Sequence, residues 1–67
     1  MIKFATVLEV NPDSLFVRDN SGQEILVYAQ NAQQFAPGDY VRIIYNGAMT
    51  LSLPPQISAI FVTLVRR

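Results

Sequence analysis

The sequence predicts a small all-β barrel carrying one short helix. Two observations point there. β-Branched and aromatic residues dominate and fall in short runs. Asn, Asp, Gly and Pro clusters separate the runs, which is the spacing of an all-β sandwich or barrel. A third observation locates the helix: one segment, 29–36, lacks β-branched residues altogether.

Residues 2–10 make the first strand. Strict alternation puts Ile2, Phe4, Thr6, Leu8 and Val10 on one face and Lys3, Ala5, Val7 and Glu9 on the other. Asn11-Pro12-Asp13-Ser14 is a turn, because Pro12 presets φ for a first central position and Asn11 can bond its own backbone. Residues 14–18 form the second strand, with Leu15 and Val17 opposed to Phe16 and Arg18. Asp19-Asn20-Ser21-Gly22 is the strongest hairpin signal, since Asn20 and Gly22 tolerate left-handed backbone. Residues 23–29 return as the third strand and complete a meander.

Segment 29–36 is rich in fair helix formers. Asn31 is placed to cap a helix start, and Gln34 follows at capping-box spacing, so one or two turns are expected near 31–35. Pro37-Gly38-Asp39 ends them in a turn that needs positive φ at Gly38. Residues 40–45 are the fourth strand, and Asn46-Gly47 signals another turn. Residues 48–56 form a loop containing Pro54-Pro55, with room for a short strand at 48–52. Residues 57–65 are the last strand, and Arg66-Arg67 is a polar, solvated end.

Meander, short helix, strand, loop, strand is the element order of the OB-fold, a five-stranded Greek-key barrel. An SH3-like barrel has the same strand count but places its helical turn before the last strand. The helix position therefore favours a single OB-like barrel over residues 1–67, with Phe35 as the plug of one barrel end.

Composition excludes several function classes. The chain has 67 residues, enough for one domain of marginal stability. It has no Cys and no His. That removes disulfides, thiolate metal sites, the commonest transition-metal ligand and the usual general base. Five basic residues balance five acidic ones, so long-range attraction to nucleic acid or an anionic membrane is small. Lys3, Thr6 and Glu9 interrupt the N-terminal apolar run, so no secretory signal is expected. No run approaches a membrane span. A cytoplasmic, soluble protein is the expectation.

The second half carries a resemblance. Gly38-Asp39-Tyr40-Val41-Arg42-Ile43 precedes Tyr45-Asn46-Gly47 and Ser52-Leu53-Pro54-Pro55-Gln56-Ile57. This pattern resembles small bacterial β-barrel domains of uncharacterised families. The resemblance covers roughly residues 37–60, with a looser match in the first hairpin. It implies a compact OB-like barrel and no particular activity. Asn46 stands where those domains often carry Asp.

Catalytic chemistry finds little to work with. Asp13, Asp19 and Asp39 fall in turns, where Asp bonds backbone. Glu9 and Glu24 sit at strand ends, and no carboxylate pair has acid/base spacing. No serine has a His partner, and Lys3 is the sole lysine. Asp19-Asn20-Ser21-Gly22 resembles a calcium-loop fragment without the remaining ligand positions, and reads as a hairpin turn. The expectation is a non-enzyme with no catalytic, metal or cofactor-binding residues and no cofactor.

Binding is the remaining class. In the last strand Ile57, Ala59, Phe61, Thr63 and Val65 share one face, and Ser58, Ile60, Val62 and Leu64 the other. Both faces are apolar, so one fills the barrel and the other needs a cover. The first strand shows the same tendency through Ala5 and Val7. A protein-binding or self-associating module is the leading expectation, with Val62 in the interface. A binding loop is expected at 46–56: Tyr45 and Met49 as apolar contacts, Asn46 and Ser52 as polar ones, and Pro54 stiffening the exit. The alternative is weak single-stranded nucleic-acid binding, with bases stacked on Phe16 and Tyr28 beside Arg18. Sparse basic residues make that partner the less favoured one. No membrane partner is expected.

Overall fold

A computed structural model describes residues 1–66. Its elements are β1 (Ile2–Val10), β2 (Ser14–Asp19), β3 (Glu24–Tyr28), a 3-10 turn (Ala32–Gln34), β4 (Tyr40–Tyr45) and β5 (Gln56–Leu64). The strands close into a barrel in the order β1-β2-β3-β5-β4, with β4 returning to β1. All pairings are antiparallel except β3 with β5. This is an all-β, OB-like Greek-key barrel. No helix among the described residues is long and apolar enough to cross a membrane.

The core is an inner lining of Ala5, Val7, Leu15, Val17, Ile25, Val27, Val41, Ile43, Ile57 and Val62, all essentially inaccessible. Ala5 and Val7 therefore fill the barrel and do not form an outer face. Strict alternation along β1 fails at Leu8. Val7 pairs with Val17, but Glu9 pairs with Phe16, so Leu8 is an extra residue. Such a bulge reverses the inside–outside pattern beyond it. Val10 accordingly sits opposite buried Leu15 and packs on the core, while Ile2 and Phe4 face outward.

A second irregularity changes β5. Ile44 pairs with Phe61 and Tyr45 with Ala59, leaving Ile60 unmatched. Ile57 and Val62 both point inward as a result, and Phe61 points outward. Val62, at 1% exposure, is a core residue and not an interface residue. A charge there would be buried without a partner.

The segment after β3 is shorter than expected. Only Ala32–Gln34 is helical, as one 3-10 turn. Asn31 makes no side-chain cap. Its carboxamide instead donates to the Val62 carbonyl at 2.9 Å, tying the turn to β5. The fully buried plug is Ala32, with Phe35 half-buried against the core. Gly38 takes φ +94°, as its turn requires, while Asn20 stays out of the left-handed region and leaves it to Gly22. No strand forms at 48–52.

Asp19 closes one end of the barrel. It lies on the inward side at the end of β2 and is 7% exposed. One oxygen accepts the Ser21 and Gln23 backbone N–H groups at 2.9 and 3.0 Å and the Ser21 hydroxyl at 2.6 Å. The other accepts Lys3 Nζ at 3.0 Å. Burial alone pushes this carboxyl up. The donors from Ser21, Lys3 and Gln23 together outweigh it and hold its pKa down to about 2.

Candidate protein-binding surface

The loop between β4 and β5 is braced by its own polar groups. Asn46 Oδ1 accepts the Ala48 N–H at 2.9 Å. Gly47 follows at φ +97°, and a Cβ there would stand 2.8 Å from Met1 Sδ, so only glycine fits without displacement. Thr50 exchanges two bonds with Gln56: its N–H donates to the Gln56 carbonyl, and its hydroxyl accepts the Gln56 N–H. Ser52 donates to the Pro54 carbonyl at 3.0 Å, and since a carbonyl only accepts, Thr50 is left to donate to Ser52 at 2.6 Å. The hydroxyls of Thr50 and Ser52 are thus spent inside the loop. Leu53-Pro54 is cis.

The loop residues named from sequence fall into two groups. Tyr45 is 4% exposed and belongs to the core, so it offers no surface contact. Met49 is half-buried against the core and lines a shallow cavity of about 260 Å³ with Asn46, Thr50, Gln56 and Ile57. Asn46, Ser52 and Pro54 are exposed. Leu51 and Leu53, which sequence allows to fold back with Met49 over the barrel mouth, instead stand fully in solvent at the loop tip.

The outer face of β2 and β3 carries Phe16, Arg18 and Tyr28. Phe16 is half-buried opposite Leu26, and Tyr28 is partly exposed on the same face. Arg18 lies opposite Glu24 and is ion-paired to it at 2.9 Å. Its charge is therefore answered within the face.

A different surface emerges on β1, β4 and β5. Pairing aligns Ile2 with Ile44 and Ile44 with Phe61, forming one apolar row across three strands. The next row is Phe4, Arg42 and Thr63. The Phe4 ring stacks on Tyr40, with centroids 6.1 Å apart at 14°. Ile2, Phe4, Ile60 and Phe61 are all exposed. Strict alternation hides this surface, because each bulge moves residues between faces. One signal was available: residues 43–65 contain no Asp, Glu, Lys or Arg. Comparison with protein-family models, curated proteins and solved structures returns no match for the chain.

Proposed function

We propose that the chain is a non-catalytic β-barrel module that binds protein, in the simplest case a second copy of itself. The Ile2–Ile44–Phe61 row carries this reading, because it is a solvent-facing apolar stripe on a rigid sheet, with an aromatic pair and Arg42 beside it. Aromatic residues and Arg are enriched where protein interfaces gain most of their energy. The zero net charge imposes little repulsion between copies. The resemblance to small bacterial barrel domains supports the OB-like barrel and implies no activity of its own. Nucleic-acid binding is less well supported, since Arg18 and Lys3 are both ion-paired to carboxylates.

Sedimentation at rising protein concentration tests the proposal. The expected result is association by ~1 mM, where even a dimer of about −4 kcal/mol is populated. It should change little between low and high salt, and Phe61→Lys should abolish it while circular dichroism stays unchanged. A chain that remains monomeric at that concentration rejects self-association. Retention on single-stranded DNA that falls steeply with salt would favour nucleic acid instead.

A further inference from the structure

The chain has four asparagines, Asn11, Asn20, Asn31 and Asn46. An asparagine is open to one reaction that needs only water: the backbone nitrogen of the next residue attacks the side-chain Cγ and expels the amide nitrogen. That attack requires a successor N–H that can give up its proton. Asn11 has none, because Pro12 carries no N–H. Asn20 is exposed, but the Ser21 N–H donates to Asp19 Oδ1 at 2.9 Å, and a carboxylate beside that nitrogen opposes its becoming an anion. The Asn20 carboxamide is also tied to the Tyr40 hydroxyl at 2.8 Å. Asn31 precedes buried Ala32, whose N–H donates to the Ala29 carbonyl at 3.3 Å, and its own carboxamide is held on Val62. Asn46 differs on each count. It is exposed, and the N–H of its successor, Gly47, makes no hydrogen bond among the described residues. Gly47 has no Cβ to hinder the approach. The Ala48 N–H donates to Asn46 Oδ1 at 2.9 Å. It sits on the oxygen where negative charge collects when Cγ is attacked, which is the arrangement of an oxyanion hole.

We propose that Asn46 is a self-modifying site, at which the loop's own backbone converts the asparagine to aspartate and isoaspartate. Hydroxide takes the Gly47 amide proton, and the nitrogen forms a bond to Asn46 Cγ. The Cγ–Nδ2 bond breaks, Nδ2 takes a proton from water and leaves as ammonia, and a succinimide closes. One water then opens the succinimide. Cleavage between Cγ and the Gly47 nitrogen gives aspartate. Cleavage between the Asn46 backbone carbonyl carbon and that nitrogen gives isoaspartate, whose backbone runs through the side chain and is one methylene longer. In both cases an amide and a water become a carboxylate and ammonium. A carboxylate at position 46 accepts the Ala48 N–H as a charge-assisted bond, so the aspartate product keeps the turn. Residues 43–65 hold no charged side chain, and the chain's formal net charge is zero. The reaction therefore places the first charge in that stretch, two positions beyond Ile44 of the apolar row, and leaves the whole chain with one net negative charge.

Incubation of the folded chain in water labelled with heavy oxygen, followed by site-resolved peptide mapping, reads the reaction directly. Position 46 should lose its amide and gain one heavy oxygen, while Asn11, Asn20 and Asn31 stay unchanged. Isoelectric focusing over the same interval should show one new acidic band. Asn46→Gln, whose longer side chain disfavours the ring, should show no such band. The natural chain unfolded in urea gives the reference rate. A folded chain whose Asn46 stays intact while the unfolded reference converts overturns the inference. Conversion of Asn20 or Asn31 that keeps pace with Asn46 in the folded chain overturns it too, because the hydrogen bonds described above would then select nothing. Should Asn46→Gln fail to fold, the peptide map of the natural chain decides.

Discussion

Asp19 shows how one side chain can carry a pH dependence. Its carboxylate is held by Lys3 and by the hairpin that follows it, and its pKa is depressed to about 2. An unfolded Asp titrates near ~3.9. The folded state thus binds its proton less readily than the unfolded state. The resulting stabilisation is fully present above pH ~4 and disappears as pH falls toward 2. It amounts to on the order of 2 kcal/mol, the linkage value of a shift this size. Urea unfolding of the natural chain at pH 5 and pH 2.5 should show that loss. Asp19→Asn should lower stability at pH 5 and show a flatter dependence in the same window. Equal slopes for the two proteins would remove Asp19 from the account. The sequence placed Asp19 in a turn, and the Ser21 and Gln23 bonds agree with that. The Lys3 partner was not legible, because it depends on the pairing of β1 with β2.

At the scale of elements, the β4–β5 loop separates side chains that anchor it from those that decorate it. Met49 packs on the core, whereas Leu51 and Leu53 touch solvent. Met49→Ala should therefore cost about 2 kcal/mol, the low end for a Met truncation because the side chain is only half-buried. Leu51→Ala and Leu53→Ala should stay within ~0.5 kcal/mol of the natural chain, as surface substitutions do. Denaturant midpoints of the three variants check both statements. The turns at Gly22, Gly38 and Gly47 and the strand bounds were readable from local chemistry. The facing of β1 and β5 was not. Leu8 and Ile60 each insert one residue whose effect depends on the strand opposite, and no local pattern announces it. Val62 is the consequence, an apparent surface residue that closes the core.

The whole molecule is a small barrel whose stability has few reserves, since a chain of this length buries a modest share of its surface. Coupling to an interface would raise it. If the chain dimerises, its thermal midpoint should climb by a few degrees for each tenfold increase in protein concentration, because association draws on the folded state alone. A midpoint independent of concentration up to ~1 mM would show that the barrel stands by itself. The fold class followed from element order, since a helix after the third strand and a loop before the fifth suit one barrel topology. The binding surface did not follow from it, because it lies on three strands whose outward residues are decided by register.

The parallel contact between β3 and β5 joins Leu26 to Gln56, thirty positions later in the chain. The first three strands are joined by short connections, whereas their last neighbour lies a long stretch further along the chain. Ile25 and Val27 have one flank of their sheet uncovered until β5 docks beside β3. The meander is therefore a fragment without a finished interior, and closure gains its reward only after a long loop has been ordered. Refolding that stalls before β5 docks leaves the β3 edge open to other chains, so aggregation at high protein concentration competes with barrel closure at this step.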